Sequence, residues 1–99
     1  MNSFWVSLNG WSKDREIRVQ DGYAFFEVAE QGHCGICRSR IDHIRSVAPA
    51  DTKYAYLHDR YPSDGKTLWA GIPVTEEMST PDIVKLFKEK LSLPISRYY

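Results

Sequence analysis

No run of apolar residues in this 99-residue chain approaches the roughly 18 that a membrane span requires, so a bilayer-crossing helix is excluded. The N-terminal stretch MNSFWVSLNGW also lacks the basic segment, long apolar segment and small-residue cleavage site of a secretory leader, so a cytoplasmic location is expected. Net charge is missing too. Thirteen Lys and Arg balance thirteen Asp and Glu, which removes the electrostatic footprint of a general nucleic-acid binder and leaves room only for a local basic patch. There is no glycine-rich phosphate loop, and no serine sits in a nucleophile elbow. Cysteine is scarce: two residues, one CxxC, no second CxxC and no HxxxH. No internal repeat, linker or low-complexity segment interrupts the chain, which reads as one domain over residues 1–99.

What remains is globular in composition, 42% hydrophobic and 26% charged, and long enough to bury a core without obligatory disulfides or metal. Residues 3–8 alternate Phe4, Val6 and Leu8 against Ser3, Trp5 and Ser7, the period of a strand with one buried face. Asn9-Gly10 ends it. Residues 16–20 and 23–29 flank Asp21-Gly22, the strongest hairpin signal in the chain. Residues 53–58 place Tyr54, Tyr56 and His58 on one face of a further strand, and residues 67–74 supply another, which Pro73 confines to an edge or terminates.

Two helices complete the pattern. Over residues 36–47, Ile36, Cys37, Ile41, Ile44 and Val47 collect on one side, with Pro49 as the stop. Over residues 81–91, Ile83, Phe87 and Leu91 recur every four residues, with Thr80 as the cap, Pro81 at the first helical position and Asp82 in the first turn. The tail, residues 95–99, is short and aromatic and is read as either docked or loose. The expected fold is α+β: a mainly antiparallel sheet of four or five strands packed on two helices.

The chemistry concentrates in GHCGICRSRIDHIRSV, residues 32–47, which holds both cysteines and two of the three histidines. A CxxC offers two thiolates, and tetrahedral zinc needs two further nitrogen or sulfur ligands. The candidates with Cys34 and Cys37 are His43 and His58. In a helix His43 lies six residues beyond Cys37, about 240° around the axis at roughly 100° per residue, and so faces away from it. No cofactor is the expectation, with zinc as the alternative. The plain reading is that Cys37 packs as a small hydrophobe on the apolar side of its helix.

Thiol redox chemistry is the other alternative. Cys34 would attack and Cys37 resolve, because a cysteine at a helix N-terminus has its thiolate stabilised by the dipole and the free amides. His33-Cys34-Gly35-Ile36-Cys37 resembles the active-site turn of the thioredoxin-like family, whose motif has the form CGxC. Gly71-Ile72-Pro73 is similar to the segment carrying that family's cis-proline, which the resemblance would set against the thiols through Pro73.

The opposite side of the first helix carries Arg38, Arg40, His43 and Arg45, cations suited to phosphate or carboxylate. Tyr54, Tyr56 and Tyr61 lie beyond it in the chain. Neutrality disfavours nucleic acid as the target, and Tyr and Arg together have the composition of a protein-binding surface. Trp5, Trp11, Trp69, Tyr98 and Tyr99 add further rings, several of which must point outward from period-two strands. The expectation is therefore a small binding or inhibitory protein rather than an enzyme. It would occlude or regulate a protein partner through Arg38, Arg40, Arg45, Tyr54, Tyr56 and Tyr61, in the manner of immunity, antitoxin or phage counter-defence proteins. Edge strands with unpaired backbone groups leave a homodimer open.

Overall fold

A computed structural model describes residues 2–30, 35–58 and 66–99, with side chains omitted at 2, 29–30, 35–38, 57–58 and 66. Along the chain run β1 (Asn2–Leu8), β2 (Arg15–Gln20), β3 (Tyr23–Glu30), α1 (Gly35–Val47), β4 (Lys53–His58), β5 (Lys66–Pro73), α2 (Thr80–Lys90) and β6 (Ile95–Tyr98). The strands form one open sheet in the order β4-β5-β3-β2-β1-β6, antiparallel at every pairing. This is a small α+β domain with six strands among the described residues, not the four or five expected. The extra strand is the tail: Ile95 is buried, and Trp5 and Tyr99 exchange backbone hydrogen bonds of 2.9 Å in both directions.

Local chemistry explains the turns. Asp21 and Gly22 both have positive φ, 53° and 80°, as the two central positions of a type I′ hairpin turn demand. Gly10, at φ 84°, takes the third place of a turn closed by the Trp11 N–H on the Leu8 carbonyl at 3.2 Å. Pro73 ends β5, which is an interior strand between β4 and β3. The cap of α2 is Ser79 and not Thr80. Its hydroxyl accepts from the Asp82 N–H, and the Asp82 carboxylate accepts from the Ser79 N–H at 3.1 Å, a closed capping box. The Ser79 hydroxyl also donates to the Asp82 carboxylate at 2.9 Å, and that bond, together with the one from the Ser79 N–H, holds the Asp82 carboxyl below the usual carboxylate range.

Side chains alternate across a pleated sheet, so the register sorts them onto two faces. Phe4, Ile17, Phe26, Ala70 and Tyr54 share one row, and both helices pack on that face. Ile44 of α1 and Ile83, Val84 and Phe87 of α2 join Val6, Ile17, Phe26 and Ile72 in a single core, with the Phe26 and Phe87 rings 6.0 Å apart. Trp11 closes one end, edge-on to Phe26 at 5.8 Å.

The other face is built differently. Phe25 lies over Gly71, where an added Cβ would stand 2.6 Å from the ring, so only glycine fits beneath it. The Arg18 guanidinium stacks on the buried Trp69 ring at 4.6 Å and reaches the carboxylate of buried Glu16 at 3.4 Å. A cation that is both stacked and paired keeps that carboxylate compensated away from water.

Candidate protein-binding surface

Strand β4 is an end of the sheet, and its register sets Tyr54 beside Ala70 and Tyr56 beside Leu68, on the helix-bearing face. The core stops short of them. Tyr54 is 38% and Tyr56 52% exposed, and among the described residues neither hydroxyl has a hydrogen-bond partner. Arg45, in the last turn of α1, is exposed and holds its guanidinium 5.6 Å from the centre of the Tyr54 ring. Its position also complements the helix dipole. Two phenol rings and a guanidinium thus share one corner. The arrangement can offer apolar area, two hydroxyls and a planar cation to a partner.

The other residues singled out from the sequence fall elsewhere. Arg40 is engaged within the fold: its guanidinium lies 4.1 Å from the Trp11 ring centre and donates to the Gly10 carbonyl at 3.3 Å, pinning α1 to the turn after β1. Arg38 and Cys37 belong to α1, but their side chains lie outside the described residues, as does that of His58. Cys34 and Tyr61 lie outside them altogether. His43 is exposed on α1, and among the described residues no three of His, Cys, Asp and Glu gather as a metal site. Pro73 stands opposite Tyr23 of β3. Of the tryptophans, Trp69 is buried and Trp5 and Trp11 are half-buried.

A second constellation escaped the sequence reading. Asp14, in the β1–β2 connection, accepts from the Ser7 hydroxyl at 2.8 Å and from the Tyr99 hydroxyl. The Arg97 Nε donates to the Ser7 hydroxyl at 3.2 Å, and the Arg97 guanidinium lies 5.8 Å from the Tyr99 ring centre. The Tyr99 and Ser7 hydrogen bonds hold the Asp14 carboxyl below its ordinary value, and the same bond to Asp14 pushes the Tyr99 phenol up. The bonds that Tyr99 and Arg97 make to Asp14 and Ser7 span 85 and 90 positions, so no local pattern announces them. The cluster fastens β6 to the sheet.

A cavity of about 560 Å³ lies between the β1–β2 pair and the start of α2, lined by Phe4, Val19, Met78 and Ile83 with Ser3, Thr75, Glu76 and Thr80. It does not adjoin the Arg45–Tyr54–Tyr56 corner. No described helix is long and apolar enough to cross a membrane. No protein-family model, curated protein or solved structure matches this chain.

Proposed function

We propose that this chain is a small non-enzymatic binding protein that occludes or regulates a protein partner through Arg45, Tyr54 and Tyr56. The observation that carries the reading is the exposure of two neighbouring tyrosines on an end strand, with an arginine from the adjoining helix against one of them. Tyr and Arg are the side chains that most often dominate binding energy, since a ring brings large area at low entropy cost and a guanidinium brings directed donors. Neutral overall charge favours a protein over a nucleic acid as the partner, because cation accumulation is what drives nonspecific phosphate binding. Inhibitors of the immunity, antitoxin or phage counter-defence kind, acting in the cytoplasm, fit this description.

The test is affinity capture from the source cells with the tagged chain and with the Arg45→Glu/Tyr54→Ala/Tyr56→Ala triple variant. A protein bound by the first and lost by the second supports the proposal. A partner held equally by both overturns it.

Thiol chemistry is a second reading, favoured by one observation: α1 opens at Gly35, between the two cysteines in sequence, as the next described element after β3. A Cys34 pKa at or above the free-thiol value of about 8.5 removes it. Metal analysis of chain purified without chelator decides the zinc version, in which Cys34, Cys37, His43 and His58 would be the ligands.

A further inference from the structure

We infer that the main-chain edge of β4 pairs with β4 of a second copy of this chain, antiparallel, about a two-fold axis passing through Ala55. This goes beyond the side-chain contact proposed above, because it uses the backbone groups of the strand and not the exposed rings alone.

An outermost strand leaves every second residue's N–H and C=O without a ladder partner, and proteins blunt such edges with proline, bulges, short length or inward-pointing charge. Among its described residues β4 has no proline and no bulge. It runs six residues in unbroken register with β5, from Lys53 opposite Gly71 to His58 opposite Lys66. Its one lysine is drawn back onto its own sheet, with the ammonium 5.3 Å from the Tyr23 ring centre. The opposite edge is blunted. β6 has four residues, begins just after Pro94, and shifts register against β1 between Ser7 and Leu8.

The residues of β4 are also self-complementary. In a continuous antiparallel sheet, residues directly opposite one another share a face. An axis through Ala55 therefore sets Tyr54 against Tyr56 of the second copy, and Tyr56 against its Tyr54, all four on the helix-bearing face. Aromatic cross-strand pairs of this kind stabilise sheet pairing. Ala55 meets Ala55 at the axis, a small residue where bulk would collide, and Lys53 falls opposite Leu57 and not opposite another lysine. An axis through Tyr54 or Tyr56 would instead match only one tyrosine with its copy. The Ala55 register makes a closed, isologous contact, the commonest form of dimer.

The test uses the full chain. Sedimentation of the unmodified protein between 1 µM and 1 mM is expected to shift from one chain mass to two, and Tyr56→Lys, which sets a cation against Tyr54, is expected to weaken self-association at least tenfold. In a Cys34→Ser/Cys37→Ser background, Ala55→Cys is expected to oxidise to a covalent dimer, since paired residues across a strand edge lie within disulfide reach, whereas Ser96→Cys on β6 stays monomeric. A single chain mass at every concentration overturns the inference, and so does crosslinking through Ser96→Cys in place of Ala55→Cys. Arg45→Glu, expected to abolish capture of the heterologous partner while leaving the Ala55→Cys crosslink intact, makes the two readings fail separately.

Discussion

At one end of the sheet β6 and the residue after it expose Tyr98 and Tyr99, and at the other β4 exposes Tyr54 and Tyr56. The Tyr99 hydroxyl is spent on Asp14, Arg97 leans on its ring and on Ser7, and the Ser96 hydroxyl donates to the Ser7 carbonyl at 3.0 Å. On β4 the rings have no hydrogen-bonded partner among the described residues, and their one neighbour of note is Arg45. Equal exposure thus conceals unequal commitment. The polar ends of Ser96, Arg97 and Tyr99 are satisfied within the fold, where they hold a short, bulged strand in place. Those of Tyr54 and Tyr56 on β4 are left without a hydrogen-bonded partner among the described residues.

The comparison can be broken most sharply at Ile95, the buried anchor of β6. Ile95→Ala is expected to cost about 2 kcal/mol or more, the lower end for truncating a buried isoleucine, read by denaturant unfolding, with loss of amide protection confined first to β6. Next is Gly71→Ala in β5, beside β4. The new methyl meets the Phe25 ring, so a destabilisation of about 1–3 kcal/mol is expected from overpacking, and thermal unfolding checks it.

Smaller effects separate the two edges by pH. The Asp14 carboxyl is depressed in the folded chain, so its contribution is present above the unfolded value of about 3.9 and is lost as pH falls through the lower native value. The Tyr99 phenol is raised, so its contribution is present below about 10 and is lost as pH rises through the higher native value. Nuclear magnetic resonance of the β6 amides should show a step at each extreme, and Asp14→Asn should remove the acid one. Smallest of all is the stability effect of Tyr56→Ser, expected within about 0.5 kcal/mol because the ring lies largely in solvent, while the same variant weakens partner binding by more than about 1 kcal/mol in calorimetry.

Much of this fold is written locally. Asp21-Gly22 declares its hairpin because few residues accept two successive positive φ values, and the four-residue spacing of Ile83, Phe87 and Leu91 declares α2. The strand period likewise places Tyr54 and Tyr56 on one face of β4. Other features depend on distance along the chain. Residues 95–98 become a strand only because β1 offers them an edge, and Arg40 reads as a free surface cation until the fold brings Trp11 beneath it. Ser79 and Thr80 are both fit to cap a helix, and the choice falls to Ser79 because Asp82 stands three residues on, at the spacing that closes a capping box. The candidate surface was half legible: Arg45, Tyr54 and Tyr56 come together, whereas the engagement of Arg40 could not be read from its neighbours in sequence.

The most direct test of an available β4 against a committed β6 is to place a photo-crosslinking residue at position 56 or at position 98 and irradiate the source cells. An adduct with a second protein chain at 56, absent at 98, is the predicted result. An adduct at 98 with none at 56 would contradict the account.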